Sequence, residues 1–229
     1  MHSLTKYIGG HGAVIGGVII DGANFDWTAD PKRQPLFNEP DPSYGGVVWG
    51  EAVPQITGHN IPFAIRARVC LLRDLGSCLS PDNAFQVIQG IETLPLRMRQ
   101  NCSNAERVVD FLEDHPKVER VIYPKNYDGV VGERAKKYFN GGFGALVGLE
   151  LKGGIEAGKK FIDSLKLFYH VANIGDARSL AIHPATTTHS QLTPEEQLAS
   201  GVTPGYVRLS LGIEHPDDLL SDLKQALEA

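Results

Sequence analysis

Between Tyr206 and Leu211 apolar and polar side chains alternate strictly, which puts Val207, Leu209 and Leu211 on one face of a strand and Arg208 with Ser210 on the other. A few residues later Leu219, Leu220, Leu223 and Leu227 recur at helical spacing, so the stretch Pro216–Leu227 is predicted to be a helix with one buried stripe. The same periodicities predict strands near Val118–Tyr123 and Ala145–Leu151, strands around Val171–Ile182, and a strand over Tyr206–Ile213. Helices are predicted over Glu133–Phe139 and Ile155–Phe168. Mixed in this order, they describe an α+β layer with helices on one face of a small sheet.

The first half is less regular. Gly12–Ile20 is a short apolar run bounded by glycines, the pattern of a buried strand. From Asn24 to Trp49 neither period holds. That segment carries Pro31, Pro35, Pro40, Pro42 and the pair Gly45-Gly46, and its aromatics Phe25, Trp27, Phe37, Tyr44 and Trp49 call for something to pack against. After Pro62, Ile65, Val69 and Leu72 follow helical spacing until Gly76 ends the run. Ser80-Pro81-Asp82 reads as an N-cap followed by proline in the first turn. The helix it opens is predicted to reach about Asp114, kinked or divided at Pro95. Such a helix can join two domains, with the boundary placed near Ser103, giving 1–103 and 104–229.

Composition narrows the partners. Of 229 residues, 42% are hydrophobic and 21% charged, ordinary for a globular protein, and the net charge of -5 offers no electrostatic reason to bind nucleic acid or an acidic membrane. No apolar run reaches the roughly 20 residues of a membrane helix, and no signal-peptide pattern opens the sequence. Cys70, Cys78 and Cys102 are an odd set without Cys-x-x-Cys spacing, so they predict neither a disulfide framework nor a metal site but reduced thiols in a cytoplasmic protein.

Candidate chemistry concentrates in two places. In Ser3-Leu4-Thr5-Lys6-Tyr7-Ile8-Gly9-Gly10-His11-Gly12, one lysine follows two hydroxyls and precedes glycines that let the backbone turn tightly against a bulky ligand. This suits an amine that forms a Schiff base with a phosphorylated aldehyde, Ser3 and Thr5 being able to hydrogen-bond phosphate oxygens. A solvated turn is the plainer alternative. A nucleotide phosphate loop is rejected, since there the lysine follows the glycines. The second place is Asn173–His189, dense in small hydroxyl and amide residues, readable as a polar loop or as a pocket lining. Near it in the pattern stands Arg208, a cation in an otherwise apolar strand, which calls for an anion: an internal carboxylate or a substrate carboxylate gripped in bidentate fashion.

The Ser3–His11 segment resembles the lysine segment of the pyridoxal-phosphate enzymes of cysteine and methionine metabolism. The resemblance extends over the whole chain but matches only the second half or so of such an enzyme. It implies the α/β fold class, as a partial fold-type I pyridoxal-phosphate transferase large domain followed by a small α+β C-terminal domain. It implies that Lys6 anchors pyridoxal 5'-phosphate with Ser3 and Thr5 at the phosphate. It also implies that Ser179 helps hold the amino-acid carboxylate, that Arg208 pairs with the substrate α-carboxylate, and that Thr187, Thr188 and His189 shape the same pocket.

The aromatic-rich insertion resembles that of family members acting on O-acetylhomoserine. The implied reaction is therefore γ-replacement: O-acetyl-L-homoserine and sulfide, or methanethiol, give homocysteine, or methionine, and acetate. A cystathionine or methionine γ-lyase, a cystathionine γ-synthase, or a non-catalytic remnant serving as an assembly module are the alternatives. In the family, the aspartate for the pyridine nitrogen, the ring that stacks on the cofactor and the main phosphate turn precede the lysine. The chain alone is thus expected to be a poor catalyst, either as a truncated or split product or as a sequence given only in part. The expected partners are a small amino-acid substrate, sulfide, and either further copies, a homo-oligomer that is tetrameric in the family, or a complementary N-terminal chain.

Overall fold

The computed structural model describes residues 1–229, which fall into two units: 1–3 with 16–84, and 4–15 with 85–229. In the first unit β1 (His2–Ser3) pairs antiparallel with β2 (Gly17–Val18). The buried strand predicted over Gly12–Ile20 is thereby reduced to two residues, and Ile15 and Ile20 are 79% and 67% exposed. Glycines at 16 and 17 offer no side chain to pack, and a two-residue partner offers no longer ladder to extend along.

The irregular segment that follows is built around its rings. Helices α1 (Pro35–Asn38), α2 (Trp49–Thr57) and α3 (Pro62–Arg66) surround Trp27, whose ring stacks on Phe63 at 5.4 Å and meets Phe37 at 4.4 Å and Phe25 at 4.7 Å. Asp41 ties this cluster together, accepting from the Trp49 indole N–H at 2.9 Å and from the Ser43 amide at 3.0 Å. The helical run after Pro62 continues as a wider turn over Ala67–Arg73 and stops where Gly76 takes φ +74°, as the sequence predicts.

Helix α4 (Pro81–Glu113) opens on the Ser80 hydroxyl, which accepts from Asn83 N at 3.1 Å. Pro95 lies inside it without dividing it, so of the two expectations, a kink or a division, the division does not occur. Proline in a helix costs about 3 kcal/mol, and tertiary packing outweighs that: Ala105, Val108, Val109 and Leu112 from the same helix are sealed in the core.

The remaining elements of the second unit are β3 (Val118–Ile122), α5 (Gly129–Tyr138), β4 (Leu146–Leu151), α6 (Gly154–Ser164), β5 (Tyr169–His170), β6 (Leu180–Ile182), α7 (Pro194–Ala199), β7 (Tyr206–Ser210) and α8 (Pro216–Glu228). The five strands lie in the order β3-β4-β7-β6-β5, antiparallel except for the β5–β6 pair. Val147, Leu149, Val207 and Leu209 of the central strands meet Phe161 of α6 and the Leu219, Leu223, Leu227 stripe of α8 in one core. Of the strands predicted around Val171–Ile182, β6 closes the range and β5 lies just ahead of it. Residues 171–179 form a loop: Gly175 turns at φ +75°, and the amides of Gly175, Ala177 and Ser179 go to Ser210 Oγ, Gly10 O and Glu214 Oε1 rather than to a neighbouring strand.

Candidate active site

Lys6 sits in a single turn, Leu4–Ile8, whose backbone leaves helical geometry at the lysine itself (φ -93°, ψ -133°). The turn closes through Gly9 N to Leu4 O at 2.8 Å and Gly10 N to Lys6 O at 2.7 Å. Leu4 is buried and anchors it. From the opposite side Gly175 presses on the same peptide: a Cβ there would stand 2.6 Å from Tyr7 N and 3.1 Å from Lys6 C. Ala177 N donates to Gly10 O at 2.7 Å, so the loop and the lysine turn are joined at two points. Burial pushes the Tyr7 hydroxyl above the usual tyrosine range, which keeps a neutral phenol beside the lysine.

The amine of Lys6 donates to Oδ1 of Asn173, and the carbonyl of the same asparagine accepts from Arg208 Nη2 at 3.3 Å. Strand β7 supplies that arginine on its polar face. Two residues on, the Ser210 hydroxyl accepts from Gly175 N at 3.0 Å and fixes the glycine that supports Lys6. No carboxylate lies within 4.0 Å of Arg208, so the internal ion pair that the strand pattern left open is not formed.

Ser179 has no exposed surface. Its hydroxyl donates to Glu214 Oε2 at 2.8 Å and accepts from Gly212 N at 2.8 Å, while its amide donates to Glu214 Oε1 at 2.6 Å. Asn104 Nδ2 donates to the carbonyls of Gly212 and Glu214 at 3.0 and 2.9 Å, so this support reaches α4. Thr187 Oγ1 donates to His183 O at 2.8 Å, and Thr188 Oγ1 lies 2.9 Å from His189 Nδ1. Ser3 is exposed in β1, and Thr5 is half-buried one residue before the lysine.

Lys6, Asn173 and Arg208 are thus brought together, while Ser179 braces the loop from which Asn173 projects. Asn173, Gly175 and Ser210 were not singled out by residue type. Their one sequence signal was membership in the two segments already chosen for chemistry.

An amine at a tight glycine-rich turn, an amide oxygen receiving it and a guanidinium without a carboxylate partner are groups that could take a carbonyl compound at the lysine and an anion at the arginine. The Lys6 amine is a group that could hold the aldehyde of pyridoxal phosphate, and Thr5 in the same turn carries a hydroxyl that could face its phosphate.

The chain belongs to the Cys/Met metabolism PLP-dependent enzyme family, which it matches over residues 1–228. It is 56% identical over 238 residues to O-acetyl-L-homoserine sulfhydrylase of Leptospira meyeri, covering 100% of this chain and 52% of that relative. It is 50% identical over 226 residues to O-acetyl-L-homoserine sulfhydrylase 1 of Thermus thermophilus, covering 99% of this chain and 52% of that relative. Among solved structures, one described as an O-acetylhomoserine (thiol)-lyase from Campylobacter jejuni, carrying a pyridoxyl-lysine phosphate, superposes with a TM-score of 0.88 at 40% identity. The match covers 100% of this chain and 53% of that one. The chain therefore spans about half the length of the curated relatives it matches, and the mixed α/β fold expected from the resemblance is the one observed.

Proposed function

We propose that this chain provides the lysine-bearing part of a pyridoxal-phosphate enzyme that replaces the acetoxy group of O-acetyl-L-homoserine with sulfide, giving homocysteine and acetate. The observation that carries the reading is the Lys6–Asn173–Arg208 constellation, in which an amine and a guanidinium without a counter-anion share one asparagine. When bound, pyridoxal phosphate supplies the electron sink that stabilises negative charge next to the substrate nitrogen.

The chain's own residues do the rest. Lys6 would hold the cofactor through its Nζ, and the hydroxyls of Thr5 and Ser3 are the ones proposed for its phosphate. The Lys6 amine, when not bonded to the cofactor, would hold and move protons at the substrate carbons, and Asn173 Oδ1, which accepts from it, would give that amine a fixed direction. Arg208 pairs with the substrate α-carboxylate, its planar fork being suited to two parallel bonds. Contact of Ser179 with the carboxylate would run through the loop it braces, because its hydroxyl is engaged by Glu214 and Gly212. Thr187, Thr188 and His189 shape the pocket from the following turn. The proposal places 1–103 with the cofactor-binding domain and 104–229 as the small C-terminal domain, in a cytoplasmic homo-oligomer. No helix is long and apolar enough to cross a membrane.

The test begins with purified chain and pyridoxal phosphate, watching for the visible absorbance of lysine-bound cofactor and its loss in Lys6→Ala. Turnover is then measured in the complete enzyme, with O-acetylhomoserine plus sulfide set against cleavage of methionine or cystathionine. Preference for a cleavage substrate, or an absorbance band that survives Lys6→Ala, would overturn the reading.

A further inference from the structure

Arg97 of α4 is 5% exposed, yet no carboxylate lies within 4.0 Å of it. Its donors go to main-chain oxygens and one hydroxyl. Nη1 donates to Tyr7 O at 2.8 Å, Nη2 to Gly90 O at 2.6 Å and more loosely to Ile8 O at 3.4 Å, and Nε to Thr93 Oγ1 at 3.2 Å. Burying a cation without a counter-anion is unfavourable, and burial pulls this guanidinium below the usual arginine range. Stability alone would be served as well by an apolar side chain of similar volume.

What the arginine does instead is reach the carbonyls of the two residues that follow Lys6. The neighbouring backbone is shaped to admit it: Gly10 adopts φ +73°, and a Cβ there would lie 2.1 Å from Nη1. Gly90 lets the helix approach the same turn, since its Cβ would lie 2.4 Å from Ile8 O and 2.5 Å from Gly9 O. The carbonyls of Tyr7 and Ile8 are therefore gripped by α4, while Gly175 limits the Lys6–Tyr7 peptide from the other side.

We infer that Arg97 is a positioning residue for Lys6, clamping the Tyr7 and Ile8 carbonyls so that the amine is presented in one direction. The inference rests on the role of Lys6 proposed above. Lysine in its place keeps the charge but is a point donor that does not span these oxygens together.

The experiment compares the full chain with Arg97→Met and Arg97→Lys. Pyridoxal phosphate condenses with the Lys6 amine with loss of water, borohydride reduces the product to a stable secondary amine, and peptide mapping quantifies capture against cofactor concentration. The maximal rate at Lys6 is expected to fall by about tenfold or more, since displacement near 1 Å costs up to about a hundredfold. The half-saturating concentration and the capture of exposed Lys137 should stay as in the parent chain. A folded variant that keeps the parent maximal rate at Lys6 overturns the proposal.

Hydrogen exchange on the same proteins separates this failure from failure of the cofactor reading. Gly9 and Gly10 amides should exchange about tenfold faster in the variants, with β4 amides unchanged. Unchanged exchange at Gly9 and Gly10 sinks the clamp even if Lys6 proves unreactive in every protein. Absence of selective capture at Lys6 in the parent chain sinks the cofactor reading and leaves the clamp to the exchange data. Should Arg97→Met fail to fold, Arg97→Lys decides.

Discussion

Gly175→Ala perturbs the candidate site through one added methyl group. At φ +75° the new residue occupies the left-handed region, a penalty of roughly 1–2 kcal/mol for a side chain with a Cβ. The steric part is larger in consequence: the Cβ would begin 2.6 Å from Tyr7 N, and ordinary contact starts at 3.4 Å, so lysine turn and loop must separate by about 0.8 Å. A misplacement of that order near reacting atoms costs up to about a hundredfold in rate. Gly201→Ala provides the control, because Gly201 has φ +83° but nothing within 4 Å of its ideal Cβ. Both variants carry the backbone penalty; Gly175→Ala alone carries the collision. Borohydride-trapped capture of pyridoxal phosphate at Lys6 is the assay, with thermal unfolding by far-ultraviolet circular dichroism to match stability. Capture should fall at least tenfold in Gly175→Ala and change little in Gly201→Ala. Equal rates in the two variants would refute the claim that this glycine holds the lysine in place.

Three further outcomes are expected. Asp222 accepts from the amides of Lys166, Leu167 and Phe168 at 2.9, 2.8 and 3.2 Å, so Asp222→Ala strands three donors and should destabilise the second unit by about 2–4 kcal/mol in urea titration. Asp41 is held below the ordinary carboxylate range chiefly by the Trp49 indole N–H, so its stabilising effect is complete above the unfolded value near 3.8 and is lost as pH falls through the lower folded value. Both tryptophans, Trp27 and Trp49, lie in the first unit, so their fluorescence should show acid unfolding whose steepness lessens in Asp41→Asn; parallel curves would contradict this. Glu214→Ala removes the acceptor of the Ser179 amide and hydroxyl, and the Ser179 amide should then exchange faster with solvent while α8 stays protected.

Residues whose structure follows from near neighbours were legible before any coordinates. The alternation at Tyr206–Leu211 put Arg208 on the polar face of β7, the leucine stripe of α8 faced the core, and Ser80 capped α4. Lys6 stood out because a lysine behind two hydroxyls and ahead of several glycines is a pattern of consecutive residues. The loop at 171–179, the exposed ends of Gly12–Ile20 and the undivided passage of α4 through Pro95 could not be read from sequence for one reason: each depends on what lies across from it. Gly175 is bent toward Tyr7 and Ser210, β2 has only two residues to pair with, and the core around Val108 and Leu112 outweighs a proline. The meeting of Lys6 with Asn173 joins positions 167 apart, brought within reach by the pairing of β6 with β7 and the braces at Ser179 and Arg97. Periodicity and capping are properties of a few consecutive side chains, whereas that contact exists only once strands distant in the chain have exchanged hydrogen bonds and closed the loop between them.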